Sequence, residues 1–142
     1  MLETHQLSKI LFCPAFCSPF KTGGPPVAGP QRRLAMLKLA LDHPQFDLTT
    51  IELDRGGISY TIDTIRALKM KGLRLILTDE EAKQLNKWKE GEELIQLAPP
   101  LSSARTLNIS STEIRARLKK GLYCGHLIPA KALEYIHKHR DY

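Results

Sequence analysis

The sequence predicts an α/β fold, and two observations carry that expectation. Short apolar runs alternate with stretches of helical periodicity, in the order strand, helix, strand, helix, strand, helices. The run "LRLILTD", Leu73 to Asp79, is apolar without alternation, as in parallel strands covered on both faces. Together they predict a layered parallel sheet with right-handed crossovers. In such a sheet ligands gather outside the carboxyl ends of the strands.

The elements follow in order. "KILFCPA", Lys9 to Ala15, is a short apolar run bounded by Pro14 and reads as a buried strand. The stretch from Pro19 to Pro30 holds four Pro and three Gly and reads as a loop, longer than a connector needs. Pro30 suits a first helical position, and Leu34, Met36, Leu37, Ala40 and Leu41 mark the inner face of the helix after it, which ends near Pro44. "FDLTTIELD" alternates and reads as a strand, and "RGG" turns the chain. "SYTIDTIRALKMKG" is a helix with Ile62, Ile65, Ala67 and Leu68 at helical spacing, closed by Gly72. After the strand Leu73 to Asp79, "EEAKQLNKWKEGEELIQLA" reads as helical, broken at Gly91. "APPLSSARTLN" is a loop with room for a short strand. Two helices close the chain, from Ser110 to about Lys120 and from Pro129 to about His139.

Bulk properties narrow the function. A chain of 142 residues, 42% apolar and 25% charged, suits a single domain spanning 1–142 with a hydrophobic core. No apolar run approaches the ~20 residues of a membrane span. The opening "MLETHQLSKI" lacks the basic-then-apolar pattern of a signal peptide, so a cytoplasmic setting is expected. Cys13, Cys17 and Cys124 lack metal-site spacing and are expected as free thiols, with no metal site. A net charge of +6 favours anionic partners. The basic residues are scattered over several segments without interleaved aromatics, which argues against nucleic acid.

One stretch points to chemistry: "NISSTEIRARLKKG", Asn108 to Gly121. Ser110 with Glu113 fits a capping box. A cap explains one hydroxyl; it leaves Ser111, Thr112 and Arg115 on the same turn unexplained. A helix start is also an anion site, because its free N–H groups and dipole favour phosphate, and an arginine one turn in can bind the same anion through two bonds.

"ISSTEIR" resembles the "ISST-x-IR" signature of the nucleotidylyltransferases. Four further pieces, in order, resemble the bacterial nicotinate-nucleotide adenylyltransferases among them. "FCPAFCSPFK" is similar to that family's strand and Pro-rich loop ending in a basic residue. "QRRLAMLKLAL" resembles its "R-x-x-M-x-x-x-A" helix, and "DRGGISYTIDTIRAL" its "SYT-x-DT" segment. "LIPAKALEYIHKHRDY" looks like its closing helix. The resemblance implies a Rossmann-like nucleotidylyltransferase fold with a parallel sheet and C-terminal helices. It implies transfer of AMP from ATP to nicotinate mononucleotide, giving nicotinate adenine dinucleotide and pyrophosphate, with Mg²⁺ on the phosphates. Carried over by position, Ser110, Ser111, Thr112, Arg115 and Lys21 would hold ATP. Tyr60, Thr61 and Trp88 would hold the nicotinate end, and Glu80 the ribose. Read without the resemblance, Thr61 is a helix cap, Trp88 a half-exposed helix residue and Lys21 a solvated loop lysine. The oligomeric state is left open, a homo-oligomer included.

The sequence also departs from the family. The family's "GG-S/T-F-D/N-P-x-H-x-GH" is not found, and none of the five histidines stands in an H-x-G-H. "MLETHQLSKILF" aligns with the helix after that motif, so the fold is expected to lack its first strand and no residue is assigned a catalytic role. Thr78 stands at the family's Gly and Glu80 at its Asp, with Asp79 beside it; Phe20 stands at its usual His. Only Lys89 to Ile109 separate Trp88 from Ser110, so a later strand is expected to be missing too. The shortened form is therefore expected to be poorly active or inactive. Its alternatives are a non-catalytic nucleotide-binding remnant or interaction module, and a pantetheine-phosphate adenylyltransferase, against which "SYTIDT" argues. Loss of a central strand predicts marginal stability, with melting below ~60 °C on a thermal scan of the purified chain.

Overall fold

The computed structural model describes residues 2–20, 26–103, 109–140 and 142. Its elements are β1 (Ile10–Phe12), α1 (Pro30–Ala40), β2 (Phe46–Leu48), α2 (Ile51–Arg55), α3 (Thr61–Leu68), β3 (Leu75–Thr78), α4 (Asp79–Lys83), α5 (Gly91–Leu97), β4 (Pro100–Ser103), α6 (Ser111–Lys119) and α7 (Ala130–His139). A 3-10 turn, Leu85–Lys87, lies between α4 and α5. The predicted α/β class and parallel strands are present: β1 pairs with β2 and β3 with β4, both parallel. Among the described residues these are two separate two-stranded sheets. The chain groups into two compact units. One holds β1, α1, β2, α2, α6 and α7; the other holds α3 to β4 together with Ser18–Phe20.

In the first unit, β1 pairs in register from Ile10 with Phe46 to Phe12 with Leu48, and the Phe12 and Phe46 rings meet edge to face at 5.2 Å. Pro30 opens α1 as expected. The segment leaving β1 is tied down by Arg33, whose guanidinium donates to the carbonyls of Ala15 at 2.6 Å, Phe16 at 3.2 Å and Ala28 at 3.2 Å. The preceding residue, Arg32, donates to the carbonyl of His139, joining α1 to the end of α7. The strand expected over "FDLTTIELD" stops at Leu48, and Ile51–Arg55 is helical. Thr50 donates its hydroxyl to the Asp54 carboxylate at 2.7 Å, and the Asp54 N–H returns to the Thr50 carbonyl. These local bonds outcompete the β-branched preference of the stretch.

In the second unit, Ile62, Leu85 and Leu94 form the core, with Tyr60, Ile65, Leu75, Leu77 and Trp88 packed against it. Helix α3 ends earlier than expected: Lys69 takes the left-handed conformation that stops it, and Gly72, also at positive φ, belongs to the turn beyond. Strand β3 is less covered than its apolar run predicts, with Ile76 41% exposed. The long helix expected after β3 is three short pieces. Thr78 caps α4 in a complete capping box with Glu81. Gly91 begins α5 rather than breaking a helix; a Cβ there would collide with the backbone carbonyl of Leu85. That close approach, open only to glycine, fixes the tight segment that carries Trp88.

Candidate functional site

Tyr60, Thr61 and Trp88, three residues singled out in the sequence, line one cavity of about 140 Å³ in the second unit. Pro19, Phe20, Lys87, Lys89 and Leu94 complete its lining. A void of ~150 Å³ is enough for a benzene-sized ring. Trp88 is held by its own backbone: its N–H bonds to the Leu85 carbonyl at 3.1 Å, and its carbonyl accepts from Gly91 at 3.0 Å. One part of the indole packs on the core, and the Phe20 ring meets it at 5.4 Å with a 48° tilt.

Tyr60 is the N-cap of α3 and makes no side-chain capping bond, and its carbonyl accepts the first helical bonds from Asp63 and Thr64. Thr61 therefore does not cap the helix. It is the first helical residue, and the amino end of α3 forms part of the cavity wall, where the helix dipole favours negative charge. Lys89 stands over the Tyr60 ring, its ammonium 4.6 Å from the ring centre, and donates to both carboxylate oxygens of Asp63 at 3.0 and 3.3 Å. Among the described residues two lysines thus line the cavity, and no carboxylate does.

Glu80, the remaining predicted contact of the second unit, is exposed on the first turn of α4 and absent from that lining. Lys21 lies outside the described residues. Phe20, Lys87 and Lys89 were not singled out as ligand contacts. Lys87 and Lys89 flank Trp88 directly, so the signal was present in "NKWKE".

The serine-rich turn belongs to the first unit. Ser110 is the N-cap of α6, and its Oγ accepts the N–H of Glu113 at 3.1 Å, as the capping reading predicts. Ser111 and Thr112 follow as the first exposed helical residues. Arg115 donates from Nη2 to the Thr112 Oγ at 3.3 Å. Its guanidinium thus folds back over the first turn, as long side chains in helices do. One hydroxyl is consumed by the cap; the other two and the arginine sit together at an exposed, dipole-positive helix end.

Away from that turn, burial pushes the Cys13 thiol up to about 11, and the neighbouring Glu52 carboxylate adds to the shift. The thiolate is the reactive form. Iodoacetamide at pH 8 is therefore expected to leave Cys13 unmodified in the folded protein, as read by peptide mass spectrometry. Between the ordinary thiol value of about 9 and about 11 the unfolded chain sheds this proton and the native chain keeps it, so native stability falls as pH rises through that window.

Among the described residues no helix is long and apolar enough to cross a membrane, and no group of three His, Cys, Asp or Glu side chains is placed to hold a metal ion. No family model matches the chain. It is, however, similar to curated proteins named "Probable nicotinate-nucleotide adenylyltransferase". It is 37% identical to that of Hydrogenobaculum sp. (strain Y04AAS1), over 99% of this chain and 85% of the relative. It is 35% identical to one from Thermus thermophilus, over 99% and 86%. It is 33% identical to that of Methylacidiphilum infernorum (isolate V4), over 99% and 80%. The Hydrogenobaculum alignment runs over 163 positions although this chain has 142 residues, so the relative keeps positions that this chain skips.

Proposed function

The chain belongs to the nicotinate-nucleotide adenylyltransferase family, and we propose on that premise that it takes nicotinate mononucleotide and ATP as substrates in the cytoplasm. The 5′-phosphate oxygen of the mononucleotide attacks the α-phosphorus of ATP. A new P–O bond forms, the bond between the α- and β-phosphates breaks, and pyrophosphate leaves. The observation that supports this most is the cavity in which Tyr60, Thr61 and Trp88 meet. Its size suits one pyridine ring, with Trp88 as the stacking face.

In this reading Ser111, Thr112 and Arg115 at the amino end of α6 bind the ATP phosphates. Ser110 holds that helix end in shape through its bond to Glu113, and Lys21 adds charge. Glu80 contacts the ribose. Such chemistry needs positioning and charge neutralisation rather than a protein nucleophile. The side chains described offer no cage for a resident Mg²⁺. The ion arrives with ATP as part of the Mg–ATP substrate, as it commonly does in phosphoryl sites.

In this reading the chain releases pyrophosphate only when both substrates are present. A coupled pyrophosphate assay with ATP, Mg²⁺ and nicotinate mononucleotide tests this. Release that requires the mononucleotide is the expected result. Binding of both nucleotides by calorimetry with no pyrophosphate would replace this reading with a non-catalytic nucleotide-binding module. Binding of neither would overturn both.

A further inference from the structure

We propose that the turn after α6, at Leu122 and Tyr123, is a contact for an anionic lipid surface, with Lys119 and Lys120 meeting the headgroups. The two apolar residues are 48% and 73% exposed. Single exposed apolar side chains are common. Here two stand side by side, and the backbone holds them out. Helix α6 ends in a Schellman turn: the Leu122 N–H bonds to the Arg117 carbonyl and the Gly121 N–H to that of Leu118, both at 3.0 Å, with Gly121 at φ 65°. In such a turn the residue after the glycine ordinarily packs on the apolar side chain five positions back. That position is Arg117, so Leu122 has no apolar partner there. Tyr123 follows, its carbonyl accepting from Arg117 Nη2 at 3.0 Å and its ring stacked on His126 at 5.8 Å. The Tyr123 hydroxyl lies against Gly125, where a Cβ would collide with it. Buried Cys124 anchors the chain behind the tip, and its carbonyl accepts from Leu127 and Ile128.

The same stretch carries one sign of charge. From Ile114 to Leu133 the sequence has Arg115, Arg117, Lys119, Lys120 and Lys131 and no Asp or Glu. Lys119 and Lys120 are exposed and directly precede the apolar pair. Lysines at a helix end also suit its dipole, which accounts for the charge but not for an exposed Leu and Tyr beside it. The occupant follows from shape and area. Leu122 and Tyr123 together offer roughly 300 Å², well short of the ~800 Å² per partner of a stable protein interface. Nucleic acid would use the lysines and leave Leu122 without a role. A lipid surface uses both features: the cations are drawn to anionic headgroups, and a tyrosine with a neighbouring leucine seats at headgroup level. Such a contact is peripheral and needs no spanning helix.

The test floats the full chain with vesicles of phosphatidylcholine mixed with phosphatidylglycerol, and with phosphatidylcholine alone. Partition into the anionic vesicles is expected to exceed that into neutral ones at least ~10-fold, and to fall as salt is raised. K119Q with K120Q is expected to lower it ~10-fold, the scale of two lysines at such a surface. L122S with Y123S is expected to lower it at least ~5-fold. L122S alone, which leaves the Tyr123 contacts in place, is expected to lower it ~3-fold at an unchanged urea midpoint. K38Q with K83Q removes the same charge from exposed lysines elsewhere and is expected to change partition by less than ~2-fold.

Equal partition into both kinds of vesicle, or none into either, overturns the proposal. So does a loss in K38Q with K83Q that matches K119Q with K120Q, since the net charge of the chain would then be the cause. Full binding by L122S and by L122S with Y123S overturns the apolar tip. Binding to single-stranded RNA that K119Q with K120Q weakens, with no binding to vesicles, would assign the turn to nucleic acid instead.

Discussion

Trp88→Leu is expected to weaken binding of nicotinate mononucleotide by about 10- to 100-fold, with Trp88→Phe staying within ~3-fold of wild type. Stacking of a heteroaromatic ring on an aromatic side chain is worth ~1–3 kcal/mol by truncation, and that range sets the expected loss. Leucine is the informative replacement because Trp88 has two jobs. It packs on Ile62, Leu85 and Leu94, and it presents ring surface to the cavity. Alanine would remove both and confound them, since deleting a large apolar side chain from a core costs several kcal/mol in stability. Leucine keeps apolar volume against the core and removes only the aromatic face. Calorimetry supplies the affinity, because these variants lose the fluorophore, and a urea titration checks that folding is retained. A Leu variant that folds and binds as tightly as wild type would remove the stacking face from the account.

How Trp88 comes to lie beside Tyr60 shows where the sequence runs out. "SYTIDT" and a lone Trp are visible as letters, and their resemblance to a family suggests a shared ligand. Periodicity does not bring them together, because "EEAKQLNKWKEGEELIQLA" scans as one interrupted helix. What sets the geometry is the approach of Gly91 to the Leu85 carbonyl, a contact with no local signature. The capping box at Thr78 and Glu81 is legible as T-x-x-E but is masked, because "LILTD" reads as a strand running on to Asp79. Set against the family, Thr78 reads only as a bulky substitute for a glycine. In the structure its hydroxyl starts α4, and Glu80 is consequently carried to an exposed position on that helix. By contrast Pro30 and Ser110 open their helices where expected, since both signals act within one turn.

The exposed apolar residues have a similar explanation. "LRLILTD" carries the composition of a strand buried on both faces, yet Ile76 is 41% exposed on a two-stranded sheet. Composition records the faces a strand is suited to cover, and the local pairing records how many strands the described residues supply. An apolar pattern alone cannot report a missing neighbour, because it is set by the face a residue would cover and not by whether the cover is present.

Arg33→Met is expected to lower the stability of the chain by ~2–4 kcal/mol, read as a fall in the urea midpoint at unchanged slope. Bond count alone would not single it out. Arg66 also makes several bonds, to Glu90 and Glu93, but those partners are exposed carboxylates that water replaces readily, and Arg66→Met is expected to move the midpoint much less. The difference lies in what is left behind. Arg33 donates to three backbone carbonyls in part-buried surroundings, at Ala15, Phe16 and Ala28. Those acceptors belong to the backbone on either side of the Pro/Gly stretch, and removing the donor takes a charge-assisted bond from three carbonyls at once. Arg33→Lys should recover only part of the loss, since one ammonium cannot match the planar fork that reaches three oxygens. Against a total of ~5–15 kcal/mol, the Met variant loses a large share of the native margin, and it should be the more heat-labile of the two by several degrees. A midpoint for Arg33→Met close to wild type, or one no lower than that of Arg66→Met, would show that the three carbonyls find other donors and that the clamp on the segment leaving β1 is dispensable.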